Sequence, residues 1–146
     1  MARVLVVDDE ESIRLSFSII LTDIKYDVMT AADIIEAKDI LESNQFDVAV
    51  IDRILESDNG MDLVKHLNII QPFCTTILIS AYPNFESASE GFKNKLFAYL
   101  KKPVQRVKLI DTIEAAVINS KEKLKRYNYE QKLIRNQNKK RLSREL

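Results

Sequence analysis

Five short apolar runs rich in β-branched residues are the feature that most constrains the fold of this chain. They occupy residues 4–7, 28–31, 48–51, 77–79 and 97–100. Segments with helical spacing of apolar residues alternate with them, at about 12–25, 34–44, 61–70, 84–94 and from 104 onward. The first and third runs are almost continuously hydrophobic, which indicates strands buried on both faces. The alternation predicts an α/β fold with a doubly wound, five-stranded parallel sheet.

Composition indicates a globular protein without a membrane segment. The chain is 46% hydrophobic and 30% charged, with only two glycines. No apolar run approaches the roughly 20 residues that span a bilayer, and no signal-peptide pattern precedes the first strand. We therefore expect a cytoplasmic location and no membrane contact. Cys74 is the only cysteine, so we expect a buried thiol and no internal disulfide.

Polar residues follow four of the predicted strands. Ligands of open α/β sheets bind beyond the carboxyl ends of the strands, so these residues should meet at one edge. They are Asp8 and Asp9 after the first strand, Asp52 after the third, Ser80 after the fourth and Lys102 after the fifth.

Clustered carboxylates without histidine or cysteine suit a hard cation such as Mg2+. Such an ion, with Lys102 and the hydroxyl of Ser80, could neutralise a phosphoryl group while an aspartate acts as the nucleophile. The alternative is structural: residues 8–11 could form a solvated acidic turn whose carboxylates cap the next helix. Matching polar residues at several strand ends favour the functional interpretation.

Four motifs in order resemble the receiver domains of two-component response regulators, the chemotaxis receivers included. They are Val6-Val7-Asp8-Asp9-Glu10, Asp52 with Gly60 eight residues later, Ile79-Ser80-Ala81, and Tyr99-Leu100-Lys101-Lys102-Pro103. The resemblance covers residues 1–120 and implies a flavodoxin-like (βα)5 receiver fold. It also implies a phosphoacceptor module that assists its own phosphorylation and dephosphorylation, rather than an enzyme.

The same resemblance implies the role of each residue at the site. Asp52 would accept a phosphoryl group from a sensor histidine kinase or a phosphotransfer protein. Asp9 would bind Mg2+ directly, Asp8 largely through water, and Asp52 and the carbonyl of Ile54 would complete the protein ligands.

The remaining roles concern the phosphoryl group and the switch. Lys102 would pair with the phosphoryl oxygens, and Ser80 would move toward them. Tyr99 would then rotate and change the partner-binding surface. The peptide bond between Lys102 and Pro103 would be cis.

Two segments depart from the family pattern. Glu56 stands where proline is common, so we expect a more mobile or differently shaped loop after Asp52. The segment 95–98 lacks the glycine that usually ends the fourth helix. Asn94 could cap that helix instead.

The C-terminal region is basic, whereas the rest of the chain is acidic. Residues 1–118 contain 12 Lys and Arg against 19 Asp and Glu, and residues 119–146 contain 10 against 3. No glycine or proline follows Val104, which predicts an extended C-terminal helix. We therefore divide the chain into a receiver domain, 1–120, and a basic helical extension, 121–146.

Four interpretations of the extension stay open. It could form a homodimer through a seam of apolar residues, or lead to an output domain after residue 146. It could also be a solvated helix or contact nucleic-acid phosphates, although no base-reading motif is present. The seam residues are Ile110, Ile113, Val117, Leu124, Tyr127 and Ile134.

Two other functions compete with the phosphoacceptor. One is a metal-dependent phosphohydrolase with an aspartate nucleophile, of the haloacid-dehalogenase type. That class expects Asp-x-Asp, whereas this chain has Asp52-Arg53-Ile54. The other is an interaction module that works without phosphorylation, which the intact acidic cluster disfavours.

Overall fold

The computed structural model describes residues 1–145 and confirms the doubly wound α/β fold. Five strands form one parallel sheet: β1 (Arg3–Val7), β2 (Asp27–Ala31), β3 (Val48–Asp52), β6 (Thr75–Ser80) and β7 (Ala98–Lys101). Their order across the sheet is β2-β1-β3-β6-β7. All five predicted strands are therefore present.

Five helices alternate with these strands, and a small hairpin interrupts the pattern. The helices are α1 (Glu11–Asp23), α2 (Ile34–Ser43), α3 (Gly60–Ile70), α4 (Phe85–Lys93) and α5 (Arg106–Glu145). The hairpin pairs β4 (Ile54–Leu55) with β5 (Asp58–Asn59) directly after Asp52. It was not predicted, because two-residue strands leave no periodic pattern.

The sheet is buried on both faces, as its continuous hydrophobicity predicted. Alternate residues of β1 point to opposite sides. Leu5 and Val7 join a cluster with apolar residues of α2 and α3. Val4 and Val6 join a second cluster with residues of α1 and α5. The result is three layers, with a cluster of apolar side chains on each face of the sheet.

Polar side chains fix where three of the helices begin. Asp33 accepts a hydrogen bond from the backbone of Glu36 at the start of α2 (2.8 Å). Asn59 does the same at α3 and Asn84 at α4. Such caps satisfy backbone N–H groups that have no partner within the helix.

The end of α4 is closed without a glycine in the left-handed position. Asn94 caps the helix as predicted, but the residue with positive φ is Lys95, at 63°. The N–H of Leu96 returns to the carbonyl of Gly91 at 3.0 Å, which is the bonding of a Schellman motif. The side chain of Leu96 lies over Gly91, so this position favours a small residue.

The extended C-terminal helix is present as predicted, but part of the proposed dimer seam is not free. Ile113 is fully buried and Val117 is 6% exposed, and both pack against the sheet. Ser120 is anchored by a 2.6 Å hydrogen bond from its hydroxyl to the carbonyl of Phe73. The prediction of a seam from Ile110 onward was therefore wrong. Among the residues of the proposed seam, the first exposed one is Leu124, which is 45% exposed.

Two other expectations concern Cys74 and the membrane. Cys74 is buried, and this burial raises the pKa of its thiol to about 12. Among residues 1–145, no helix is both long and apolar enough to cross a membrane.

Replacement of Gly60 should damage the fold more than replacement of Gly91. A Cβ on Gly60 would overlap the backbone carbonyl of Asp52, which cannot move without shifting β3. A Cβ on Gly91 would meet a flexible Leu96 methyl at 2.7 Å. We expect Gly60→Ala to lower the free energy of unfolding by about 2–3 kcal/mol in urea denaturation. Gly91→Ala should cost about 1 kcal/mol or less, because alanine also favours the helix. Equal decreases in the free energy of unfolding for the two variants would contradict this account.

Candidate phosphoacceptor site

The carboxyl edge of the sheet brings the predicted residues together. Asp8 follows β1, Asp52 ends β3, Ser80 ends β6 and Lys102 follows β7. The backbone N–H of Lys102 donates to the carbonyl of Ser80 at 2.8 Å, which holds the two strand ends side by side. The sheet order places β1, β3, β6 and β7 next to one another. The strand-end interpretation of these residues is thus consistent with the fold.

The ammonium group of Lys102 lies between two buried carboxylates. Its Nζ atom is 2.9 Å from Oδ2 of Asp52 and 2.9 Å from Oδ2 of Asp8. Asp8 is fully buried, and Asp52 is 5% exposed. Glu10 is 3.6 Å from the same ammonium and lies near the surface. One positive charge therefore faces three negative ones.

This excess of negative charge contributes to shifts in the pKa values of Asp8 and Lys102. Burial raises the pKa of Asp8, and the charge of Asp52 adds to the effect. Lys102 and the N–H of Glu10 oppose the shift without cancelling it. Burial alone would lower the pKa of Lys102, but its contacts with Asp52 and Asp8 outweigh burial and raise it. The lysine therefore stays charged, while Asp8 resists ionisation.

Three consecutive acids form a group that could hold a cation. Carboxylate oxygens of Asp8, Asp9 and Glu10 lie within 4.8 Å of one another. Within residues 1–145, Oδ2 of Asp8 accepts no well-aligned hydrogen bond, although Lys102 is close enough to form an ion pair. A buried carboxylate oxygen without a directed donor suits a hard metal ion. The donor set therefore fits Mg2+.

The structure adds three observations about the predicted ligands. Glu10 belongs to the acidic group, whereas sequence reasoning did not assign it as a ligand. Asp52 is linked to Asp8 through Lys102. Ile54 contacts Asp52 by its N–H, which donates to Oδ1 at 3.1 Å.

The capping alternative for residues 8–11 is wrong. Glu10 occupies the position before α1, and no side chain there accepts a capping hydrogen bond. Oδ1 of Asp8 instead accepts the N–H of Glu10 at 2.9 Å, which shapes the turn itself.

Two further contacts organise the site and were not predicted from the sequence. The N–H of Glu56 donates to Oδ2 of Asp9 at 3.0 Å, and Glu56 has a φ of 49°. A proline here could not donate this bond or adopt that angle. This bond ties the loop after Asp52 to the acidic turn. Arg14 donates to the carbonyl of Asp8 at 2.6 Å. An arginine one turn into a helix does not by itself predict a contact with the preceding turn.

The two predicted switch residues have separate partners. The hydroxyl of Ser80 is buried and accepts the N–H of Tyr82 at 3.0 Å. The hydroxyl of Tyr99 is 2.9 Å from the hydroxyl of Ser87 on α4. Lys102 and Pro103 are joined by a cis peptide bond, as the resemblance implied.

Comparison with known families agrees with this geometry. Residues 4–114 match the family described as the response regulator receiver domain. This match covers most of the chain. The chain belongs to the response regulator receiver domain family.

Three similar proteins illustrate the relationship of this receiver domain to others. The response regulator protein PilR of Pseudomonas aeruginosa is 31% identical over 115 residues, which are 79% of this chain and 26% of PilR. The beryllofluoride-activated NtrC4 receiver domain dimer has a TM-score of 0.78 and 31% identity, covering 82% of this chain and 99% of that one. A response regulator from Burkholderia pseudomallei, solved with a phosphorylated aspartic acid, calcium ion and citrate, has a TM-score of 0.73 and 25% identity. That match covers 89% of this chain and 75% of the other. The receiver domain thus spans about a quarter of PilR.

Removal of the lysine should destabilise the receiver domain, whereas neutralisation of Asp8 should not. Lys102→Met leaves two buried carboxylates without their counter-charge, which should cost on the order of 3 kcal/mol in urea denaturation with EDTA. Asp8→Asn removes a costly buried charge, so this variant should be at least as stable as the parent at neutral pH. Because the pKa of Asp8 is raised above 3.8, its charge costs stability as pH rises through the folded-state value. The advantage of Asp8→Asn should therefore vanish in acid.

A matched control is Asp39→Asn, which removes an exposed charge on α2. It should change stability little at either pH. A loss of stability in Asp8→Asn relative to the parent at neutral pH would contradict the charge balance described above.

Proposed function

We propose that Asp52 is the phosphoacceptor of this receiver domain, in a two-component phosphorelay. A sensor histidine kinase or a phosphotransfer protein would supply the phosphoryl group from a phosphohistidine. The observation that carries the proposal is the position of Asp52, which shares the ammonium of Lys102 with Asp8 at 2.9 Å from each. An oxygen of Asp52 would attack phosphorus while the bond to the donor nitrogen breaks.

The acidic group would hold Mg2+ beside Asp52. Asp8, Asp9 and Asp52 are the proposed side-chain ligands, with the carbonyl of Ile54 and with Glu10 close by. When bound, the ion would neutralise charge on the transferring phosphoryl oxygens. Support comes from the unfilled bonding capacity of Asp8 and from the Burkholderia pseudomallei regulator, which contains a phosphorylated aspartic acid and a calcium ion.

Lys102 and Ser80 would act on the phosphoryl group once it is on Asp52. Lys102 can exchange one of its carboxylate contacts for a phosphoryl oxygen, because its charge is held at the site by several acids. The hydroxyl of Ser80 can donate to a phosphoryl oxygen while it accepts the N–H of Tyr82. In this way the domain would assist its own phosphorylation and dephosphorylation.

The switch would pass from Ser80 to Tyr99 and α4. Movement of Ser80 opens space in the site, and rotation of Tyr99 breaks its contact with Ser87. Ser87 belongs to the capping box that begins α4, so loss of this contact would alter the start of that helix. The partner-binding surface would change as a result.

We propose that the chain divides into a receiver domain, 1–120, and a basic extension, 121–146. We propose that the extension connects the receiver domain to an output region, since relatives such as PilR are much longer. It would also support a homodimer, through exposed residues from Leu124 onward. The NtrC4 receiver, a dimer, is a similar protein. We place this activity in the cytoplasm.

Phosphorylation by a small donor tests the proposal. The protein is incubated with acetyl phosphate and Mg2+, and its mass is measured. We expect the mass of one phosphoryl group to be gained, lost in Asp52→Asn and greatly reduced without Mg2+. Asp58→Asn, on the hairpin, is the matched control and should be phosphorylated as the parent is.

Two results would contradict the proposal. One is phosphorylation of Asp52→Asn at the parental level. The other is sustained phosphate release from many organic phosphates without a phosphorylated intermediate, which would favour the phosphohydrolase.

A further inference from the structure

A cavity of about 590 Å³ lies at the amino ends of β6 and β7, away from Asp52. Phe73 precedes β6 and Phe97 precedes β7, so both mark the amino ends of these strands. The phosphoacceptor site lies at the carboxyl ends of the same strands. The far wall is formed by α5, through Lys123, Arg126 and Tyr127. The cavity is therefore separate from the proposed phosphoryl chemistry.

Aromatic side chains supply most of the apolar lining. They are Phe73, Phe92, Phe97 and Tyr127. Phe92 is 55% exposed and Tyr127 is 46% exposed, so these two rings remain accessible to a ligand. The rings of Phe73 and Tyr127 are in contact, with centroids 5.2 Å apart. Such a surface can receive a flat aromatic group.

Three cationic side chains surround the same cavity, with one acid. They are Lys95, Lys123 and Arg126, and the acid is Glu130. Among residues 1–145, none of the three cations forms an ion pair within 4.0 Å. Burial lowers the pKa of Lys123, Cys74 acts in the opposite direction, and the charges of Lys95 and Arg126 lower the pKa further. Like charges are held together here, and an anion would relieve their repulsion.

The walls of the cavity are fixed by hydrogen bonds. The amide of Asn68 donates to the carbonyl of Asn94 at 2.6 Å, next to Lys95. The hydroxyl of Thr75 donates to the side-chain oxygen of Asn119 at 2.9 Å, which ties α5 to β6. Ser120 binds the carbonyl of Phe73. The cations are thus carried by anchored segments, and the cavity is largely formed before a ligand arrives.

We propose that this cavity binds an aromatic organic phosphate of the size of a nucleoside monophosphate. Lys95, Lys123 and Arg126 would contact the phosphate, and the aromatic rings would contact the base. The volume lies within the range of about 300–1,000 Å³ that is usual for small-molecule sites. Charge alone would attract any phosphate, and apolar area alone would attract any flat ring. Their combination selects a ligand that carries both groups.

Calorimetric titration of the full chain with AMP, GMP and UMP tests this site. At least one should bind saturably, and its own nucleoside and inorganic phosphate should each bind at least about tenfold more weakly than that nucleotide. Lys123→Gln and Arg126→Gln should each weaken binding about tenfold, because each removes a charged contact with the phosphate. Phe92→Ala should weaken it as well. Asp52→Asn should bind as the parent does, which separates this result from the phosphorylation proposal.

The control is the double variant Lys139→Gln, Lys140→Gln, which removes two charges from the distal part of the same helix. It should bind the nucleotide as tightly as the parent. No saturable binding by any of the three nucleotides would overturn the proposal. So would equal affinities for the bound nucleotide and for inorganic phosphate, or equal losses of affinity in the control and in the cavity variants.

Discussion

The ion pair of Lys102 with Asp8 and Asp52 is the interaction on which the site depends. Two carboxylates that are almost entirely buried share one ammonium at 2.9 Å, and a third acid stands 3.6 Å away. A charge of this kind is stable in a protein interior only if it is paired. Because the pairing is incomplete, the pKa of Asp8 is raised, and the excess negative charge favours a second cation.

The strand order of the parallel sheet brings these residues to the same edge. Each of the residues follows or ends a strand, and the strands point the same way. Interior strands must be apolar, so the first polar residue after each strand is held at the sheet edge. The hairpin after Asp52 then closes one side of the site through Glu56. Gly60 allows α3 to begin directly against the carbonyl of Asp52.

Sequence patterns predicted the five strands, the helices and the meeting of Asp8, Asp52, Ser80 and Lys102, because these follow from periodicity and topology. They did not predict contacts that depend on loop shape. The left-handed angles of Glu56 and Lys95 occur at residues with no preference for them. The extended helix was predicted correctly, but the seam predicted from Ile110 onward was wrong. Apolar spacing does not distinguish residues packed on the sheet, such as Ile113, from residues free for a partner. The cavity at the amino ends of β6 and β7 was missed because its aromatic and basic residues are scattered over the sequence.

Titration of the chain with Mg2+ in a calorimeter tests the charge balance at this site most directly. One ion should bind per chain, and Asp8→Asn and Asp9→Asn should each weaken it. Lys102→Met should bind Mg2+ more tightly than the parent, because the competing ammonium is gone. Weaker Mg2+ binding by Lys102→Met, or unchanged binding by both aspartate variants, would contradict the account in which one lysine leaves these carboxylates partly neutralised.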